Sequence, residues 1–343
     1  MLVDIKAPWY REGTVTEKKA VNFVLNHGGI GDYICWLVCM EWTAKYHPHL
    51  DIQIFSPKFF IEIPKNVFAK YENVKVVDKA ALTDQHCKDA PTFIPSKDAT
   101  LNCTGANLVD LGFAYYANKQ FAPEYFNNYP KLEQMPPHIL EDERFNELEA
   151  VIKSNYKFAV LTPYYTNSNR KMPPKVFNEI KDYLIELKVV PVLLGQESWV
   201  ERRQQLDEEY DFSKCINLLN KTSLMQAAAV MDIADMVIGV DNGLLHLAAM
   251  TETPIVFGYT VIGPEYRMPR REKGAIINVE PPKELKCRYC LPQMRFHFNH
   301  NFNTCVYKDD LCVQGLEDFV PWKRAINYLV KENYESSNPI RER

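Results

Sequence analysis

Asp241 and His246 lie in Val237-Ile-Gly-Val-Asp-Asn-Gly-Leu-Leu-His-Leu-Ala-Ala-Met250, where an apolar strand meets an Asp241-Asn242-Gly243 turn and a helix follows. Such a turn leaves free backbone N–H groups and the positive end of a helix dipole facing outward, which suits a phosphate or diphosphate. Asp241 can hold a hydroxyl or cap the helix, and His246, about one turn in, falls on the side of the turn. An ordinary βα turn with a packed histidine is written the same way, so the neighbours have to decide.

The loop Thr162-Pro-Tyr-Tyr-Thr-Asn-Ser-Asn-Arg-Lys171 follows another apolar strand and ends in two cations. Arg170 or Lys171 could neutralise a diphosphate held by the 241–243 turn. At Gly195-Gln196-Glu197 a strand closes on a carboxylate that can accept hydrogen bonds from a ribose, or can simply favour a helix start. Near the N-terminus, Gly28-Gly29-Ile30-Gly31-Asp32 is glycine-rich but is neither G-x-G-x-x-G nor a Lys-Ser/Thr phosphate loop. Its glycines allow close approach, and Asp32 either caps a helix or serves as a general base for an incoming hydroxyl. Cys287, Cys290, Cys305 and Cys312 form a two-residue-spaced pair with two later thiols, the donor set of a closed structural zinc or iron site. His297 and His300 are substitute ligands, and unligated thiols or disulfides are the plainer alternatives.

These residues need rigid elements to hold them. Strands are expected at 21–26, 52–55, 74–77 and 100–103, with a helix over 33–46 and an irregular aromatic segment over 104–137. A helix over 141–153 precedes strand 158–162, helix 174–187, strand 189–194, helix 197–208 and a short strand at 215–218. Helix 224–231, strand 236–240, helix 244–250 and strand 254–258 complete the alternation. Strand–helix alternation of this kind makes βαβ units and parallel sheets, with ligands at the carboxyl ends of the strands. The expected fold is α/β, two Rossmann-like domains facing a cleft. The domains run over 1–153 and 154–315, the second including the Cys-rich segment 287–312. A terminal helix over 316–334 and a loose tail make up 316–343.

The chain has 343 residues, 46% of them hydrophobic, and a net charge of −4. That length allows two ordinary domains, and the acidic balance argues against a broad grip on nucleic acid. No apolar run reaches membrane-spanning length, and the N-terminus lacks a secretory pattern. Nine cysteines without a leader point to a reducing compartment, and the cytoplasm is the expected location.

In this order, the motifs resemble glycosyltransferase family 9, the lipopolysaccharide heptosyltransferases of GT-B fold. The matching residues are Gly31-Asp32, Arg170-Lys171 with the following Met-Pro-Pro-Lys-Val-Phe177, and Val192-Leu-Leu-Gly195-Gln-Glu197. Asn217-Leu-Leu-Asn-Lys-Thr-Ser-Leu224 and Asp241-Asn-Gly-Leu-Leu-His-Leu-Ala-Ala249 followed by Thr253-Pro-Ile-Val-Phe-Gly258 complete the set. The resemblance implies that Asp32 is the catalytic base and Lys171, beside Arg170, the donor-phosphate contact. It places Glu197 near the nucleoside, and Asp241, Asn242, Gly243 and His246 around the donor sugar and diphosphate, with Gly28, Gly29 and Gly31 in the acceptor-side loop. Asn242 departs from the family's usual Thr or Ser, and Asn220 from its usual Gly. The autotransporter-modifying branch of the family is similar in carrying a four-cysteine iron site.

The implied activity is inverting transfer from a nucleotide sugar such as ADP-heptose to a glycan or protein hydroxyl, without a catalytic metal. The rivals are a GT-B nucleotide-sugar epimerase, a non-catalytic sugar-nucleotide-binding protein and a glycosyltransferase acting on modified nucleic-acid bases. A homo-oligomer fits any of these.

Overall fold

The computed structural model describes residues 19–26, 29–93, 128–133, 135, 137–163, 168–196, 209–290, 305 and 309–336. They divide into two compact units, Met1–Glu133 and Gln134–Arg343.

In the first unit, strands β1 (Ala20–Val24), β2 (Asp51–Ser56), β3 (Val74–Asp78) and β4 (Thr92–Phe93) alternate with helices α1 (Ile30–Tyr46), α2 (Glu62–Phe68) and α3 (Asp84–Asp89). All the strand pairs are parallel, in the order β3-β2-β1-β4, with Phe23 opposite Ile54. Helix α1 buries Ile34, Trp36, Leu37, Val38, Cys39 and Met40, so it is apolar on nearly every side. A helix of that kind lies inside a unit rather than on its surface. Buried Tyr129 closes over it, its hydroxyl 3.0 Å from the Cys35 thiol.

The second unit holds β5 (Lys157–Thr162), β6 (Val189–Leu193), β7 (Ile216–Asn217), β8 (Met236–Val240), β9 (Ile255–Gly258) and β10 (Ile276–Val279). Its described helices are α4 (Asn146–Lys153), α5 (Pro174–Glu186), α6 (Leu224–Asp232), α7 (Gly243–Ala248), α8 (Pro264–Arg267), α9 (Leu311–Gln314) and α10 (Phe319–Ser336). The sheet is parallel in the order β10-β9-β8-β5-β6-β7. Strands are added outward in both directions from β5, so the winding reverses between β5 and β8. In a doubly wound sheet that switch point is where ligands bind.

Two glycines make this sheet close-packed. A Cβ on Gly239 of β8 would lie 2.0 Å from Thr162 Oγ1, and one on Gly258 of β9 would lie 2.6 Å from the ring of Trp322. Trp322 of α10 is wholly buried and donates its indole N–H to Leu316 O at 3.1 Å. The terminal helix is therefore part of the core of the second unit.

Several expectations shift. The compact units part near residue 133, ahead of α4, because that helix precedes β5 and packs with it. The region expected as one helix over 141–153 opens with a short 3-10 turn at Glu143–Phe145 before α4 begins, and another 3-10 turn, Pro137–Leu140, precedes it. Strand β10 was not anticipated, and α1 begins at Ile30 rather than residue 33. Strand 100–103, helix 197–208 and most of 104–137 lie outside the described residues. Among the described residues, no helix is long and apolar enough to cross a membrane.

Candidate functional site

The β8–α7 turn is built by Asn242. Its Oδ1 accepts from the backbone N–H groups of Leu244 (2.9 Å) and Leu245 (3.1 Å), and its Nδ2 donates to Thr162 Oγ1 at 3.2 Å. One amide thus caps the helix and ties the end of β5 to that of β8. Asp241 is not the N-cap, and this frees its carboxylate to turn inward.

There the carboxylate is buried between Arg170 and His246, its side chain 4% exposed. Oδ2 lies 3.2 Å from an Arg170 Nη atom, and Oδ1 lies 3.5 Å from His246 Nε2. Burial pushes the Asp241 carboxyl upward. The Arg170 charge, the His246 contact and the Arg267 charge outweigh that and hold it well below the usual carboxylate range. His246 is itself buried and meets Phe257 edge-on at 6.0 Å. A buried carboxylate facing several cations leaves a positive surround, the electrostatics an anionic ligand needs.

The structure thus brings Arg170, Asp241, Asn242 and His246 together at the switch point, with Gly243 as the first residue of α7. Lys171 follows Arg170 in the chain and is half-buried. Glu197 lies outside the described residues. Asn220 has φ of 60°, a left-handed conformation that explains why a glycine also suits this position. Thr162, Arg267 and Tyr259 were not singled out from sequence. Thr162 ends β5 and Tyr259 follows β9, a signal that could have found them, whereas Arg267 closes helix α8 and carries no such signal.

In the first unit, Gly29 rather than Asp32 is the N-cap of α1. Asp32 sits three residues into the cap box, and its Oδ2 accepts from Gly29 N–H at 2.8 Å. It is half-buried, and Gly31 beside it is buried. At the same carboxyl edge Lys79 Nζ donates to Asn26 Oδ1. Gly28 lies outside the described residues.

Cys287, Cys290, Cys305 and Cys312 are free thiols. Cys312 and Cys290 share a small apolar cluster with Val261, Ile262 and Val313. Burial, followed by the charges of its companions, pushes the Cys290 thiol up to about 11 and the Cys312 thiol to about 12. All four are within electrostatic reach of one another, and four thiols are a donor set for a thiophilic cation. Among the described residues, however, no three His, Cys, Asp or Glu side chains converge closely enough to hold an ion. His297 and His300 lie outside the described residues.

The parallel order of the second sheet, winding outward in both directions from β5, marks the class of doubly wound α/β proteins, whose ligands sit at strand ends. More particularly, residues 113–290 match the model of glycosyltransferase family 9 (heptosyltransferase), and the chain belongs to that family. It is 35% identical over 89 residues to lipooligosaccharide heptosyltransferase 2 of Haemophilus influenzae, a match spanning 26% of this chain and 25% of that relative. Its fold is similar to that of the iron-containing dodecameric glycosyltransferase TibC from enterotoxigenic E. coli H10407. The TM-score is 0.68 at 13% identity, covering 91% of this chain and 76% of that one. It is also similar to E. coli ADP-heptose lps heptosyltransferase II, with TM-score 0.59 at 14% identity, over 92% of this chain and 100% of that one. These two units are of the kind that make up the GT-B fold.

Proposed function

We propose that this protein transfers heptose from ADP-heptose to a hydroxyl of a glycan or protein acceptor, with inversion at the anomeric carbon. The observation that carries this is the buried Asp241, set between Arg170 and His246 at the switch point of the second sheet. In this account Asp241 and His246 fix the donor sugar. Lys171, Arg170 and the N–H groups of the β8–α7 turn face the diphosphate, and Glu197 accepts from the nucleoside. Asp32 takes the proton of the acceptor hydroxyl as its oxygen bonds to the anomeric carbon. The bond from that carbon to the diphosphate oxygen breaks, ADP leaves, and the sugar arrives with inverted configuration. Side-chain cations and backbone amides carry the leaving-group charge, the task a divalent ion performs elsewhere.

The test is ADP release from ADP-heptose by the purified protein, offered a glycan or a serine-bearing protein. Release with transfer of heptose, abolished in Asp32→Asn while donor binding persists, supports the proposal. Interconversion of the sugar without ADP release would favour an epimerase, and donor uptake with neither outcome would favour a binding protein. The four cysteines are proposed to hold a structural iron or zinc, since four thiols are the donor set of a closed tetrahedral site and give up their protons when the cation binds. Elemental analysis should then find about one such ion per chain. Neither metal near that level would exclude the site.

A further inference from the structure

Tyr259, the residue after β9, is wholly buried. Its backbone N–H donates to Val279 O at 2.9 Å, carrying the pairing of β9 with β10 one residue further. The ring stacks on Phe257 with centroids 4.4 Å apart and planes at 10°. Phe257 in turn meets His246, so a rigid aromatic row leads from Tyr259 to the histidine beside Asp241. The phenol at the end of this row is not an apolar filler, because its hydroxyl is sealed from solvent and finds no hydrogen-bond partner among the described residues.

Among the other sealed polar atoms in that condition are Asp241 Oδ2 and Arg170 Nε. The first lies 3.2 Å from an Arg170 nitrogen but is not aligned for a hydrogen bond. Buried polar atoms are almost always paired with protein or with ordered water. A hydroxyl, a carboxylate oxygen and a guanidinium N–H together offer a donor, an acceptor and a switchable group, the set that one internal water satisfies. Asp241 N–H donates to Gly258 O at 3.0 Å, one residue beyond the Val240–Gly258 pair, so Asp241 and Tyr259 leave the ends of adjacent parallel strands. In keeping with this, burial and then the Asp241 charge raise the Tyr259 phenol pKa.

We propose that Tyr259 is a positioning residue for the donor: its hydroxyl holds Asp241 Oδ2 through a buried water shared with Arg170 Nε, fixing the carboxylate orientation that the sugar meets. The inference rests on the donor-site assignment made above. It adds a specificity element that acts through Asp241 rather than by touching the substrate. The phenol and Arg170 Nε each donate to the water and the water donates to Asp241 Oδ2, so each of the three sealed atoms gains a partner.

The test compares wild type, Tyr259→Phe and Asp241→Asn by calorimetric titration with ADP-heptose and with ADP, together with melting of the ligand-free proteins. Phenylalanine fills the same slot minus one oxygen. Tyr259→Phe is expected to weaken ADP-heptose by about threefold to tenfold, the worth of one hydrogen bond, while ADP changes less and the ligand-free melting temperature stays close to wild type. Equal weakening of both ligands with a lower melting temperature would make Tyr259 merely structural and overturn the proposal. Asp241→Asn losing ADP-heptose while Tyr259→Phe binds like wild type would also overturn it, and would leave the donor site standing. Wild type taking up neither ligand would sink both. A high-resolution crystal structure gives an independent check should the phenylalanine variant fold poorly. Water density within reach of Tyr259 Oη, Asp241 Oδ2 and Arg170 Nε is expected, and a dry void there contradicts the assignment.

Discussion

Both sheets end a parallel strand in a glycine-bearing turn that leads to a helix, yet the two turns handle their acids in opposite ways. In the first unit Asp32 stands in the first turn of the helix, half-buried, its Oδ2 accepting from Gly29 N–H. In the second, an asparagine takes over the capping, and Asp241 is drawn into the interior against Arg170, His246 and Arg267. The difference separates two kinds of work. An acid committed to buried cations is held ionised and immobile, which suits fixing a ligand. An acid on a helix's first turn, with part of its surface exposed, is open to an incoming group, the place of the base proposed above.

The largest effect should come from breaking the buried arrangement. Asp241→Asn leaves Arg170 without its counter-charge, and losing one partner of a buried pair is expected to lower stability by about 3–5 kcal/mol. Chemical denaturation would measure that, and a loss under about 1 kcal/mol would mean the pair is effectively solvated. Asp32→Asn should do the reverse. Turnover of ADP-heptose is expected to fall by about 10²–10⁴-fold, the contribution of a general base, while unfolding free energy moves by no more than about 1 kcal/mol. Equal damage to stability and turnover would erase the contrast between the two acids.

Gly239→Ala forces a methyl group onto Thr162 Oγ1 and should destabilise the second unit by about 1–3 kcal/mol, read from the denaturation midpoint. Asn242→Ala should cost about 1 kcal/mol as a lost cap, and Asn242→Ser should recover most of it. The gentlest probe is pH. Because the folded Asp241 carboxyl lies below its ordinary value, the stability it adds is complete above the unfolded carboxylate range and is lost as pH falls through and below it. Replacing Arg170 with Gln removes the strongest influence opposing burial, so acid unfolding should begin at a higher pH than in wild type. An unchanged acid limb would show that Arg170 does not set the ionisation of Asp241.

Much of the second sheet was legible because β5, β6, β8 and β9 are continuous apolar runs bounded by Gly, Pro or Asp, the pattern of strands buried on both faces. Strand β10 was not, since Ile276-Ile-Asn-Val279 is only partly buried and follows a charged stretch that hides its edge. The chemistry of the site was legible as residue types at strand ends. Its wiring was not, because Arg170 and Asp241 are far apart in the chain and meet only once β5 and β8 pair. Capping was one alternative for each acid, and a common reason keeps both from it. Asp is a favoured N-cap, but Gly29 and Asn242 occupy those positions, and backbone geometry rather than side-chain preference selects the cap.

The most direct measurement is a crystal structure of the protein with ADP-heptose. The diphosphate is expected at the carboxyl ends of β5 and β8, with the sugar against Asp241 and His246 and the acid of the first unit left for the acceptor. Nucleotide density at any other place, with the Asp241 surround occupied only by its own side chains, would contradict the division of labour between the two acids.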